Sequence, residues 1–290
     1  MSDKLRNLLV RTASGVVLLG VVLGASFVGY WGFAALMMLI TVVGVWEFYN
    51  LAVAKGTEPQ RWLGIVASAM LVMAAAAFAY TFYDTHNDNT IIISVAALLV
   101  FFVLVAMMFV VEVFRAKETP LLNIATTAMG VVYVAMPLSL MCFVPILANI
   151  NSETWNPWAF LCYLFIVWGN DVFAYLVGIS IGKHKMCPRL SPKKSWEGFF
   201  GGVLGSLAMG AFGAYIVDGN YLVWIGLAAV VSLSSVVGDL AESMFKRDAG
   251  VKDSGNFIPG HGGMLDRFDA LILSAPFAFI YLIVAVIFFQ

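Results

Sequence analysis

At 290 residues with 62% hydrophobic and only 11% charged side chains, and a mean hydropathy of +0.93, the chain is too apolar to dissolve as a globule and belongs in a bilayer. The formal net charge of −1 says little about partners, and no nucleic acid is expected among them. Its apolar runs are continuous, without the period-two alternation of a barrel strand. Only helices then satisfy the backbone in hydrocarbon, and an all-α polytopic bundle is expected.

A spanning helix needs roughly 20 mostly apolar residues, and nine stretches qualify: about 8–28, 31–53, 62–83, 91–114, 121–149, 158–181, 198–217, 221–242 and 268–289. The first ends near Gly24-Ala25-Ser26, a small-residue sequence of the kind found at signal-peptide cleavage sites. Retention of this span is expected, because its loss would spoil the charge parity described below. In the fifth, Pro137 and Pro145 should kink the helix or break its end. Trp31, Trp62, Trp155, Trp158 and Trp196 fall near span ends, as an aromatic belt requires. The seventh repeats small residues at Gly198, Gly202, Ser206, Gly210 and Ala214, with Gly201, Gly205 and Gly213 beside them. Such a stripe permits close helix approach, by intramolecular packing or, as the alternative, along a homodimer seam. Cys142 and Cys162 lie within spans and Cys187 in a basic loop, which suggests packing thiols and neither a disulfide framework nor a zinc site.

Nine spans sort the bases. With the N-terminus cytoplasmic, all 16 Lys and Arg residues fall on one side: Lys4, Arg6, Arg11, Lys55, Arg61, Arg115, Lys117, Lys183, Lys185, Arg189, Lys193, Lys194, Lys246, Arg247, Lys252 and Arg267. The opposite loops carry acids such as Asp84, Asp88, Glu153 and Asp218. The positive-inside bias orients the chain with its N-terminus in, its C-terminus out and both charged loops, 182–197 and 243–267, in the cytoplasm. Residues 1–150 read as transmembrane scaffold helices and 151–290 as the catalytic region of one membrane domain. No internal repeat is evident, which disfavours many transporter architectures.

Charge is concentrated late in the chain. The 27 residues from Ser243 to Asp269 hold 8 of the 33 charged residues, four bases (Lys246, Arg247, Lys252, Arg267) alternating with four acids (Asp248, Asp253, Asp266, Asp269) around a Gly- and Pro-broken loop. That mixture suits phosphates together with divalent cations. Asp239, Glu242, Ser243 and Lys246 share one face of a helix leaving the membrane, and Asp266 and Asp269 share a face at the start of the last span. Oxygen ligands from separate helices that leave positions open for water and phosphate suit Mg²⁺. The plainer alternative is that these acids pair with Lys246, Arg247 and Arg267 as solvated helix caps. Asp171 lies inside the sixth span, where an ionisable group is a functional candidate by default. Loop 182–197 adds five bases and the run Ser191-Pro-Lys-Lys-Ser195, in which lysines act as point charges toward phosphate and serines as neutral donors. The stretch Gly178 to Lys183 is not a P-loop, since its spacing is one short and His184 stands where Ser or Thr is required. His86, in an outside loop, is expected to be inert, and Glu47 and Glu112 lie close to cytoplasmic span ends.

The late segment resembles the signature of the phosphatidate cytidylyltransferases (CDP-diacylglycerol synthases): Ser243-x-Phe-Lys-Arg247, Lys252-Asp253, Pro259-x-His261-Gly-Gly, and Asp266-Arg-Phe-Asp269. Asn170-Asp171 and the Ser-Pro-Lys-Lys-Ser order also match that family. The resemblance covers roughly residues 168–269 by motif and the rest by hydropathy. It implies that Asp239, Asp266, Asp269 and Lys246 are catalytic, with Asp239 and Asp266 holding Mg²⁺ and a second cation, K⁺ among the candidates. It further implies that Asn170, Asp171, Ser191, Lys193, Lys194, Ser195, Arg247, Lys252, Asp253, His261 and Arg267 bind substrate. CTP and phosphatidic acid are the implied substrates, joined at the cytoplasmic face of the inner membrane to give CDP-diacylglycerol and pyrophosphate. Phosphatidate is already an oxyanion, so His261 is expected to donate to phosphate or order its loop rather than act as a base. A polyprenol kinase should lack the complete signature. A cation-coupled transporter should show more charge near the midplane.

Overall fold

The computed structural model describes residues 3–84, 88–150 and 152–289, so His86 lies outside the described residues. The helices are α1 (Asp3–Val28), α2 (Tyr30–Ala54), α3 (Arg61–Tyr80), α4 (Asp88–Arg115), α5 (Pro120–Gly130), α6 (Met136–Met141), α7 (Val144–Leu147), α8 (Pro157–Ile181), α9 (Trp196–Val217), α10 (Tyr221–Asp248) and α11 (Leu265–Phe289). Among the described residues, nine segments are long and apolar enough to cross a membrane, one for each predicted span. The fifth is segmented as its prolines require. Pro137 has no N–H to offer the carbonyl four residues back, and a π-helical turn over Val131–Ala135 lies just before it. Pro145 sits in the first turn of α7, where a missing N–H costs nothing. Trp31, Trp62, Trp158 and Trp196 stand exposed at or near helix starts, as anchoring residues should.

Two compact units divide the chain: residues 1–139 with 245–268, and residues 140–244 with 269–290. In the first, Phe33, Met37, Val45 and Tyr49 of α2 are fully buried. The Tyr49 ring occupies space that only glycine leaves free, since a Cβ at Gly64 or Gly130 would collide with it. Its hydroxyl donates to the Thr127 carbonyl at 2.8 Å. Phe245, at the end of α10, packs edge-on against Phe48 at 5.7 Å and Tyr133 at 5.0 Å. Glu112 is buried but matched: its oxygens accept from Arg115 at 2.7 Å, Gln60 at 2.7 Å and Asn123 at 2.8 Å.

The second unit is organised by the small-residue stripe of α9. A Cβ at Gly198, Gly201, Gly202 or Gly205 would meet Ala174, Val177, Asn170 or Phe173 of α8, and one at Gly210 or Gly213 would meet Trp224 of α10. The stripe is thus filled by helices of its own chain, and the alternative of a homodimer seam has no support in it. Trp224 is fully buried, and the Tyr163 hydroxyl meets Ser274 Oγ at 2.7 Å. Cys142 and Cys162 are buried and all three cysteines are free thiols.

One element was not expected. Loop 182–197 contains an antiparallel hairpin of β1 (Lys185–Cys187) and β2 (Ser191–Ser195), with Lys185 opposite Ser195 and Cys187 opposite Ser191. Pro192 is tolerated because both strands of a two-stranded sheet are edges. The hairpin is anchored by Glu197, whose carboxylate accepts from the amides of Lys183 and His184 and meets His184 Nδ1 at 2.6 Å.

Close packing of α8 on α9 leads to a stability prediction. A Cβ at Gly202 would lie 2.5 Å from Asn170 Oδ1 and 2.8 Å from the Asn170 carbonyl, so Gly202→Ala should destabilise by about 1–3 kcal/mol. Gly24→Ala, with nothing within 4 Å, should not. Thermal unfolding in detergent micelles would read both.

Candidate active site

Two groups of functional side chains stand out, one in each unit. In the second unit, α8, the hairpin, the start of α9 and the C-terminal half of α10 line a cavity of about 600 Å³. Asn170, Asp171, Lys193, Lys194, Ser195 and Asp239 line it, together with Tyr175, Lys185 and Met186. Asp171 is exposed and is one of the residues lining this cavity. Asn170 is 1% exposed and donates through Nδ2 to Ser235 Oγ at 3.1 Å. Ser195 caps α9, its hydroxyl accepting from the Gly198 amide at 3.2 Å. That cap points the positive end of α9 toward the hairpin and favours anions there. Ser191, at the far end of β2, is not among the lining residues.

Asp239 connects the cavity to an acidic cluster. Its Oδ2 is 2.5 Å from Lys194 Nζ, and its Oδ1 accepts from Ser243 Oγ at 3.4 Å. Carboxylate oxygens of Asp239, Glu242 and Asp269 lie within 4.8 Å of one another. Glu242 and Asp269 are buried, and Asp269 Oδ1 also accepts from the Ala270 amide at 2.7 Å. Three carboxylates so close repel unless a cation lies among them. Hard oxygen donors gathered this tightly fit a divalent ion of the Mg²⁺ type.

In the first unit the same chemistry appears in the loop before α11. Lys246 Nζ lies 2.6 Å from Asp266 Oδ1, with side chains only 12% and 6% exposed. Asp266 Oδ2 accepts from the Ser254 amide at 2.9 Å and the Gly263 amide at 2.8 Å. The Pro-Gly-His-Gly-Gly run forms a tight turn in which Gly260 and Gly262 adopt φ of 74° and 89°, a region that favours glycine. His261 Nδ1 meets Ser14 Oγ at 2.8 Å, and the His261 carbonyl accepts from both Nε and Nη2 of Arg267. In this structure His261 and Arg267 hold the loop together. Arg247 donates to the Val251 carbonyl at 3.2 Å, and Lys252 and Asp253 are exposed on the loop.

Sequence reading missed the roles of Lys185, Met186 and Tyr175 as lining, because the hairpin that brings the first two to the cavity was read as a loop. It also missed Ser14, which carries no signal beyond its type, and underused Glu47. Glu47 was detectable as an ionisable residue inside an apolar span.

Fold and site together define a polytopic membrane protein that sets lysines, a helix N-terminus and clustered carboxylates where spanning helices end, an arrangement for phosphate-bearing ligands and a cation. Residues 9–285 match the cytidylyltransferase family, and the chain belongs to it. A phosphatidate cytidylyltransferase of Synechocystis sp. is 31% identical over 94% of this chain and 96% of that protein. One from Staphylococcus aureus is 50% identical over 43% of this chain and 49% of its own length, and one from Mycobacterium bovis is 45% identical over 46% and 44%.

The two ion pairs differ in burial, so they should respond differently to truncation. Lys246→Met strands the enclosed Asp266 carboxylate and should destabilise by about 3 kcal/mol or more. Lys194→Met breaks a pair that is 26% and 36% exposed and should cost about 1 kcal/mol or less. Denaturation midpoints of the two variants in one detergent provide the comparison.

Proposed function

We propose that the chain transfers the cytidylyl group of CTP to phosphatidate. A phosphate oxygen of phosphatidate forms a bond to the α-phosphorus of CTP, the bond to the β-phosphate oxygen breaks, and pyrophosphate leaves with its electron pair. Family membership across residues 9–285 supports the reaction. The observation that carries the site is the cavity in which Asn170, Asp171, Lys193, Lys194, Ser195 and Asp239, separated by up to 69 residues in the chain, come together.

Both reactants are anions, so the barrier is dominated by repulsion and positioning. Lys193 and Lys194 neutralise phosphate oxygens, and the amides at the start of α9 donate to them. When phosphate takes Lys194, Asp239 is released from its ion pair. We assign Asp239 and Asp266 as metal ligands, Asp239 with Glu242 and Asp269 as neighbours, and Lys246 as the base that pairs with Asp266. A bound Mg²⁺, with K⁺ as a candidate second ion, would neutralise the phosphates and polarise the reacting phosphoryl group. Arg247, Lys252, Asp253, His261 and Arg267, in and beside the loop before α11, are assigned to substrate binding, as is Ser191 at the start of β2. Acyl chains stay in the bilayer and CTP stays in water, so we place the reaction at the cytoplasmic face of the inner membrane. Residues 1–150 serve as scaffold in this reading, and 151–290 carry the chemistry.

Purified full-length protein in mixed micelles of detergent and phosphatidate should release pyrophosphate and form CDP-diacylglycerol only with CTP and Mg²⁺, and a chelator should stop it. Asp239→Asn and Asp266→Asn should each lower kcat by about 10²-fold or more. Wild-type turnover equal to that of either variant overturns its metal assignment, and a wild type with no turnover overturns the reaction.

A further inference from the structure

Glu47 lies in α2 among Val45, Phe48 and Tyr49 and is 3% exposed. A carboxylate there is strongly disfavoured unless donors meet its oxygens. Backbone amides and a hydroxyl meet this carboxylate: Oε1 accepts from the Met264 amide at 3.0 Å, and Oε2 accepts from the Leu265 amide at 2.8 Å and the Ser254 hydroxyl at 3.3 Å. The first amides of a helix lack intrahelical acceptors and carry its positive dipole end. α11 has no cap of its own, since the residue before it is Met264 and Gly262-Gly263 precede that. Glu47 supplies the missing cap from a residue 218 positions away.

The loop is shaped to receive this carboxylate. A Cβ at Gly255 would lie 2.4 Å from Glu47 Oε1, and one at Gly263 would lie 2.4 Å from Oε2, so hydrogen alone fits on both sides. Asp266 grips the same two stretches from the other direction, through the Ser254 and Gly263 amides. Ser254 therefore gives its amide to one carboxylate and its hydroxyl to the other. Moving Glu47 must move the first turn of α11 and with it Asp266 and its Lys246 partner.

We infer that Glu47 is a positioning residue, which sets loop 254–265 and thereby the place of Asp266. It acts through the loop and touches neither substrate nor cation. Its kinetic consequence rests on the cytidylyltransferase reading, whereas its structural consequence does not. Glu47→Gln keeps the side chain's shape but turns an amino group toward one of the two helix amides. Glu47→Asp keeps both acceptors and should recover part of what Gln loses.

Hydrogen exchange on the full-length protein in detergent provides the first readout. In Glu47→Gln, peptides covering 254–265 should exchange about tenfold faster or more, with peptides from α8 and α9 unchanged. Gly263→Ala, which displaces the carboxylate without altering charge, should give the same signature. The second readout is kinetic: kcat should fall about tenfold or more while KM for CTP stays within about twofold. Unchanged exchange at 254–265 in both variants overturns the inference. So does accelerated exchange throughout the molecule, which would make Glu47 a general stability residue. A wild type that exchanges as expected but has no turnover overturns the reaction and leaves the role of Glu47 to be decided by exchange alone.

Discussion

A charge inside an apolar bundle must be met by donors or by an opposite charge, and this constraint decides where the chain can keep functional groups. Glu112, Glu47 and Asp266 obey it in different ways. Glu112 is held by Arg115 and two side-chain amides, Glu47 by backbone amides and a hydroxyl, and Asp266 by Lys246 and two amides. Asp239 and Lys194 form the more open pair, at 36% and 26% exposure. Enclosed matches resist exchange because desolvated partners cannot be replaced by water. Open ones can yield to a ligand. The exposed pair can therefore trade partners more readily than the enclosed ones.

Glycine is the second recurring device, and it serves approach more than bending. In α9 it lets α8 come near enough for backbone contact, which matters where lipid leaves no hydrophobic drive between helices. Gly255 and Gly263 admit the Glu47 carboxylate. Gly250, Gly260 and Gly262 in that loop are used for their left-handed conformation. The Gly-rich composition of the charged loop thus has two separate physical causes.

Much of the helical plan was legible because an apolar run of spanning length has few alternatives. Apolar runs bound the spans, and helices outlast hydrocarbon at their ends. The run 221–242 predicts a helix that in fact continues to Asp248, since Lys246 and Arg247 suit the last turn of a helix and water satisfies the exposed backbone. The hairpin was not legible. Pro192 and two lysines read as loop, and the pairing of Lys185 with Ser195 leaves no trace in composition. Of the cavity residues, Asp171 announced itself by its place in a span and the lysines by their order, but Met186 became visible only with the hairpin folded, and Tyr175 of α8 carries no signal beyond its type. Glu47 could be flagged as costly from sequence. Its partners could not be named, because a backbone amide is the same at every position except proline.

The clustered acids and the lysines of the cavity stand on different kinds of element, although Lys246 and Arg247 stand on α10 and Arg267 on α11. Asp239 and Glu242 stand on α10, and Asp266 and Asp269 on α11, so each of these candidate cation ligands is carried by a spanning helix. Lys185, Lys193 and Lys194 stand on the hairpin and Lys252 on the loop. Sites on helices are held more closely than sites on loops. A cation tolerates little error in ligand position, whereas a lysine ammonium follows a phosphate as a point charge on a flexible stem. Rigid acids with adaptable bases are what a transfer between two anions demands, because the phosphates change charge and position during the reaction and the carboxylates do not.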